Sequence, residues 1–217
     1  MRFRDRADAG RQLAKRFRDL QLVNPIVLAL PRGGVPVARE VAVAIGAPLH
    51  VLIARKVGAP GQPEYGIGAV AEGLETPVLT ADAARVGLDR EGLDALIKRV
   101  EAEVDRRVRR YRGDRTLPPL ADRDVIIVDD GLATGVTAEA ALRAVRQQRP
   151  HQLWLAVPVC AMQSSQRLSG LADEVICLAS PQGLGLIGSW YEDFAQLTDE
   201  EVIAALAAHR ADLNAHD

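Results

Sequence analysis

Short, nearly unbroken apolar runs alternate along the chain with longer segments whose apolar residues recur at helical spacing. Runs of this kind suit strands buried on both faces, as in a parallel sheet, whereas a sheet with one wet face would alternate apolar and polar residues. They fall at 25–30 (PIVLAL), 49–54 (LHVLIA), 125–128 (VIIV), 153–159 (LWLAVPV) and 174–178 (EVICL), with a shorter candidate at 77–80. Between them the spacing predicts helices over 4–20, over 37–45 with Gly46 closing it, over the Ala-rich 137–146, and over 164–171. A last helix over 202–213 has Thr198 as its N-cap and Asp199, Glu200 and Glu201 in its first turn. The longest periodic stretch is 90–112, where Leu93, Ile97, Val100, Val104, Val108 and Tyr111 form one stripe. Strand and helix in alternation predict an open, mostly parallel α/β sheet with helices on both faces. Residues 81–115 read as a helical insertion between sheet elements. Residues 57–73, with five Gly and two Pro, read as a long lid or binding loop. There is no internal repeat.

With 217 residues, 48% of them hydrophobic, the chain can bury one good core, so 1–217 is expected to be a single domain. A net charge of −2 makes the whole molecule no magnet for polyanions and leaves only local basic patches. Cys160 and Cys177 both lie in apolar runs and are expected to be buried, reduced thiols; no Cys/His cluster suggests a metal. The charged start lacks the apolar centre of a signal peptide, and no run is long enough to span a bilayer, so a cytoplasmic protein is expected. His50, His151, His209 and His216 are scattered and are read as structural or surface groups.

The chemistry concentrates at 124–137. A buried strand ends in two carboxylates, Asp129 and Asp130, followed by a loop of small residues, 131–135, and a Thr-led helix start. Successive N–H groups in such a loop make a nest for phosphate, and the helix N-terminus adds favourable partial charge. Thr134 and Thr137 can donate hydroxyls to the same anion. Paired carboxylates repel phosphate and suit vicinal hydroxyls or hydrated Mg2+, so the implied ligand is a sugar phosphate such as a ribose 5-phosphate. A P-loop needs a Gly-Lys pair, and a response-regulator receiver needs a late Lys; no Lys follows Lys98. The GLGLIG run at 183–188 spells a dinucleotide fingerprint without the helix and distant acid that the fingerprint requires.

The apolar run, acidic pair and GLATGVT sequence resemble, from Val125 to Thr137, the phosphoribosyl diphosphate (PRPP) signature of type I phosphoribosyltransferases. Leu30, Pro31, Arg32, Gly33 and Gly34 resemble that family's pyrophosphate loop at the first strand's end, and the order of elements fits from 25 to 194. The whole is most similar to stand-alone bacterial members of the family, from whose minimal pattern the 81–115 insertion departs. The resemblance implies that N–H groups of Gly131, Ala133, Thr134, Gly135, Val136 and Thr137 hold the 5-phosphate. It implies that Asp129 and Asp130 hold the ribose hydroxyls, with Mg2+ bound mainly through substrate oxygens. Arg32, Gly33 and Gly34 would hold the pyrophosphate, and Arg55 and Lys56, read from their place at the end of the 49–54 strand where α/β sheets bind ligands, would help neutralise it. The 57–73 loop would be the catalytic lid, with Glu64 and Tyr65 as its polar contributors.

In the same family a hood covers the acceptor base, and here 181–197 would be that hood. In a chain with 4% aromatics, Trp190, Tyr191 and Phe194 fall within five residues. Trp190 or Tyr191 could stack on a base, or the three could plug the C-terminal helix. The implied activity is transfer of phosphoribose from PRPP to a base, purine-like by the hood comparison, in a homo-oligomer. A PRPP- or nucleotide-sensing regulator is one alternative, favoured only by the Arg-rich stretch Arg106, Arg107, Arg109, Arg110 and Arg112 as a nucleic-acid contact. Acidic neighbours Glu101, Glu103 and Asp105 argue instead for a solvated face or subunit contact. A hydrolase using water as acceptor is the other alternative.

Overall fold

The structure, a computed structural model, describes residues 2–215, so His216 lies outside the described residues. In chain order the elements are α1 (Arg6–Ala14), β1 (Ile26–Ala29), α2 (Gly34–Ile45), β2 (Leu49–Val51), β3 (Ala54–Ala59), β4 (Gln62–Ala71) and β5 (Val78–Leu79). They continue with α3 (Arg90–Arg112), β6 (Asp124–Val128), α4 (Val136–Arg146), β7 (Gln152–Val159), α5 (Met162–Leu168), β8 (Glu174–Ala179) and α6 (Asp199–Asn214).

The main sheet has the order β2-β1-β6-β7-β8 and every pairing in it is parallel. Every residue of β1 and β6 is buried, as their unbroken apolar sequence requires. Alternate residues serve opposite faces. Val27, Ala29, Ile126, Val128, Trp154 and Ala156 belong to one core cluster with residues of α1, α2 and α6. Ile26, Leu28, Val125, Ile127, Leu153 and Leu155 belong to the other, with residues of α4 and α5. Helices therefore cover both faces, as the pattern predicts. β1 and β6 are central neighbours, so the loops after them emerge side by side at one sheet edge. Open α/β sheets bind ligands at that edge.

Four expectations change. The first helix ends at Ala14 instead of near Leu20; the chain then turns, and Phe17 packs its ring 6.0 Å from that of Trp154. Residues 57–73 are no irregular loop: β3 and β4 form an antiparallel hairpin, extended by β5 into a three-stranded sheet. Three of the glycines there answer to crowding, as where a Cβ on Gly58 would lie 2.3 Å from the Pro63 carbonyl oxygen, while Gly61 and Gly73 turn the chain at φ +74°. Arg55 and Lys56 consequently sit inside β3, four and five residues beyond the end of β2, and point to opposite faces of the hairpin. Finally, Cys160 and Cys177 are joined in a disulfide and are not free thiols: parallel pairing of β7 and β8 brings their Cα atoms to 6.2 Å, within bridging range.

The α3 helix runs over the predicted residues, and Leu93, Leu96, Ile97, Val100 and Val104 join the core beneath it. The α6 helix begins with the predicted Thr198 cap, completed as a capping box by Glu201. Residues 181–197 hold only a 3-10 turn, Ile187–Trp190. Among the described residues no helix is long and apolar enough to cross a membrane.

Candidate functional site

After β6 the chain runs through Gly131–Gly135 into α4. Its carbonyls are tied down from α5: Ser164 Oγ donates to the Ala133 oxygen, and Arg167 donates to the Thr134 oxygen at 2.7 Å. Arg167 is itself paired with Glu139. Among the described residues the N–H groups of Ala133 to Ala138 make no hydrogen bond. Gly135 turns the chain into α4 with φ +74°, a conformation side-chain-bearing residues resist. The result is a row of free donors at a helix N-terminus, the arrangement that binds phosphate. Ser164 and Arg167 carry no motif around them, and the sequence reading missed both.

The two short motifs meet at the acidic pair. A Cβ on Gly33 would stand 1.9 Å from Asp130 Oδ2, and one on Gly34 would stand 2.6 Å from the Val128 oxygen and 3.0 Å from the Asp129 Cα. Only glycine permits that approach. Arg6 of α1, absent from the sequence expectations, donates from Nε to Asp130 Oδ2 at 2.8 Å, with both side chains largely buried. The same guanidinium reaches the Ala195 oxygen at 2.9 Å and lies 3.8 Å above the Phe194 ring. Nothing local distinguishes Arg6 from the neighbouring arginines at Arg2 and Arg4. Asp129 Oδ1 accepts the Asp130 N–H at 2.8 Å. Although part of Asp129 meets solvent, protein atoms enclose it; burial first, then the charge of Asp130, pushes its pKa well above the ordinary carboxylate value.

Basic groups stand on the side toward β2. The Pro31–Arg32 peptide bond is cis, and Arg32 lies 3.6 Å from Asp199 Oδ1 at the start of α6. That oxygen also accepts the Tyr111 hydroxyl at 2.6 Å. Burial and this bond push the Tyr111 phenol up to about 12. Lys56 folds over Gly66 near Val136, where its Nζ donates to the Glu64 carbonyl at 2.7 Å and to Glu64 Oε2 at 3.0 Å. Glu64 and Tyr65 are exposed on β4, Tyr65 bonding Asp82, so the expected lid residues belong to a strand. Arg55 faces α3.

Tyr191 is the expected hood residue that the structure places elsewhere. Its ring is packed between Phe3 and Phe194, with centroids 5.5 and 4.9 Å away, and its hydroxyl donates to the Asp130 carbonyl at 2.6 Å. It is a core plug beneath the site, and neither face is open to a base. Burial raises its phenol pKa. Trp190 is part-exposed, with its indole N–H on the Leu184 oxygen at 2.9 Å. Ile187 presses on Gly131, where a Cβ would meet it at 2.6 Å. The 181–197 segment thus borders the loop through Ile187 at Gly131 and Leu184 near Ala133 and Thr134, with Trp190 tied to Leu184 behind them.

Among the described residues no group of three or more His, Cys, Asp or Glu could hold a metal. Asp129 and Asp130 offer hard oxygens, one occupied by Arg6 and one by an N–H. This set fits Mg2+ held mainly by substrate oxygens, not a protein cage. The Arg-rich stretch of α3 is largely paired internally: Arg106 and Arg107 with Glu103, Arg110 with Glu200, Arg112 with Glu72.

An all-parallel sheet whose two central strands end in a phosphate nest with an acidic pair and in a glycine turn defines the type I phosphoribosyltransferase fold class. The chain belongs to the phosphoribosyl transferase domain family, whose model matches residues 5–183. It is 46% identical over 211 residues to Rv0571c and MT0597, from two strains of Mycobacterium tuberculosis, both provisionally named phosphoribosyl transferases. Those alignments cover 96% of this chain and 47% of theirs, so the chain spans about half the length of the curated relatives it matches. The crystal structure of TT1426 from Thermus thermophilus is 46% identical with a TM-score of 0.80, covering 96% of this chain and 99% of that one. AQ2163 from Aquifex aeolicus, 14% identical with a TM-score of 0.52 over 81% of this chain and 74% of its own, shares the fold.

Proposed function

We propose that this chain transfers phosphoribose from PRPP to a nitrogenous base, purine-like by the hood comparison, and releases pyrophosphate in a Mg2+-dependent reaction. The observation that carries this reading is the contact of Gly33 and Gly34 with the acidic pair. It brings the glycine turn after β1 against the acidic pair and the N–H row that follows, which supports a site holding diphosphate, ribose hydroxyls and 5-phosphate in that order.

The free N–H groups of 133–137 would hold the 5-phosphate, helped by the hydroxyls of Thr134 and Thr137. Asp129 and Asp130 would accept the ribose hydroxyls, with Arg6 fixing the Asp130 rotamer. The negative charge of Asp130 would also favour the oxocarbenium-like state that develops as the C1–oxygen bond breaks, with Asp129 acting as a hydrogen-bonding partner of the ribose hydroxyls. The backbone at Gly33 and Gly34, with Arg32, Arg55 and Lys56 nearby, would stabilise the departing pyrophosphate. Mg2+, when bound, would supply further neutralisation of that charge. The acceptor nitrogen would attack from the side bordered by Leu184 and Ile187.

The test is pyrophosphate release from PRPP and Mg2+ across a panel of bases. Release that depends on one base is the expected result. Release without any base would make the protein a hydrolase, and tight PRPP binding without release would make it a sensor; either would overturn transfer.

A further inference from the structure

The α3 helix reaches the pyrophosphate side of the pocket. Arg32 and Tyr111 share one oxygen, Asp199 Oδ1, at 3.6 and 2.6 Å. One helical turn before Tyr111, and so on the same face of α3, stands Arg107. Its side chain is 14% exposed, against 58% for its neighbour Arg106, so it is turned inward and does not form part of a solvated helix face. Arg55 approaches from the hairpin, and its side chain makes no hydrogen bond or ion pair among the described residues. Burial, then the cations of Arg107 and, less, Arg32, push its pKa down.

Negative charge in this corner is scarce. Glu103 is the only carboxylate bonded to Arg107 among the described residues, and it is shared with Arg106 at 2.8 and 2.9 Å. Its pKa is held to about 2, first by the bond from Arg106. Arg32, Arg55, Arg106 and Arg107 therefore share Glu103 and Asp199. Beside them opens a cavity of about 920 Å3 between α3 and the hairpin, where Arg55, Lys56, Arg99 and Arg106 face only Glu64 and Glu103 among the lining residues. Bringing half-buried guanidiniums together costs Coulomb energy that a bound polyanion would reverse.

We propose that α3 forms part of the diphosphate end of the pocket, with Arg107 as a further binding residue for the diphosphate of PRPP beside Arg32 and Arg55. The proposal rests on the PRPP reading above and extends it to the 81–115 segment.

The experiment is calorimetric binding of PRPP with Mg2+, of pyrophosphate with Mg2+, and of ribose 5-phosphate, to the wild type and to Arg107→Gln, Arg107→Lys and Arg90→Gln. Losing one charge-assisted hydrogen bond predicts that Arg107→Gln weakens PRPP and pyrophosphate by about tenfold or more. Ribose 5-phosphate, which lacks the diphosphate, should bind within about twofold of wild type, showing that the fold and the phosphate nest survive. Arg107→Lys should recover part of the loss, and Arg90→Gln, at a 96% exposed side chain on the far end of α3, should bind all three ligands as the wild type does. Unchanged PRPP binding in Arg107→Gln, or an equal loss for ribose 5-phosphate, overturns the role of Arg107 alone. A wild type that binds neither PRPP nor ribose 5-phosphate overturns the PRPP reading beneath it as well.

Discussion

Replacing Gly33 with alanine tests the contact on which the site depends. The new Cβ would lie 1.9 Å from Asp130 Oδ2 and 2.5 Å from its Cγ. Ordinary contact needs about 3.5 Å, so the carboxylate or the turn must retreat by roughly 1.5 Å. Asp130 is not free to do so, because Arg6 holds that same oxygen at 2.8 Å and Arg6 is itself 11% exposed. Overpacking a rigid site costs about 1–3 kcal/mol, and loosening a largely buried ion pair adds to it, for roughly 2–4 kcal/mol in all. In a chain of 217 residues that lowers Tm by roughly 4–16 °C. Urea unfolding of Gly33→Ala would measure it, with Gly183→Ala as control, since a Cβ there meets nothing within 4 Å. The cause is isolated by repeating Gly33→Ala in an Asp130→Ala background. With the carboxylate gone, the added methyl should cost less than about 0.5 kcal/mol. An equal cost in both backgrounds would refute the contact, and wild-type stability of the single variant would refute the packing.

Asp130→Asn keeps the shape of the side chain and removes its charge; pyrophosphate release from PRPP should be abolished with the circular dichroism spectrum unchanged, and full activity would remove Asp130 from the mechanism. Thr198→Ala deletes one half of the capping box and should cost about 1 kcal/mol in urea unfolding, while an unchanged midpoint would mean that α6 is held by packing alone. His50 has its pKa lowered from 6.5 to about 4 by burial and then by Arg112 and neighbouring arginines. Between those values the unfolded chain binds a proton that the folded chain does not, so stability falls as pH drops from 6.5 to about 4 and this contribution stops changing below. His50→Gln should flatten the stability curve across that window, and parallel curves for wild type and variant would contradict the assignment.

What could be read from the sequence was local. Buried strands such as 125–128 announce themselves by composition, the 90–112 stripe by period, and the acidic pair with its small-residue loop by adjacency. Each needs only neighbours in the chain. Residues 57–73 misled because Gly and Pro signal a loop by default, whereas here Gly58 faces a crossing strand at 2.3 Å and the crowding exists only once the hairpin has formed. The cysteines misled in the same way, since parallel register and not spacing brings Cys160 to Cys177. Arg6 had no local signal at all: its partner lies 124 residues away.

That contrast extends to how the site is held. Asp130 is gripped on its side chain by Arg6 from α1 and on its carbonyl by Tyr191 from the 181–197 segment, while Arg32 is held through Asp199 by α6 and Tyr111 of α3. The groups expected to meet the 5-phosphate are backbone N–H donors, which almost any sequence could supply once the turn at Gly135 is made. On the proposed transfer reading, discrimination between acceptors would fall to side chains at the border, and Tyr191 is not among them because its ring is consumed between Phe3 and Phe194. Leu184 and Ile187 remain, with Trp190 behind Leu184. Ile187 presses directly on Gly131, so substitution there changes both the wall toward the acceptor and the path of the phosphate loop. For that reason Ile187→Ala should alter KM for PRPP as well as base preference, whereas Trp190→Leu, whose indole is tied only to the Leu184 carbonyl, should alter base preference alone. Steady-state kinetics with two bases separates the two outcomes, and a Trp190→Leu variant with a changed PRPP KM would show that the border is one unit with the phosphate loop.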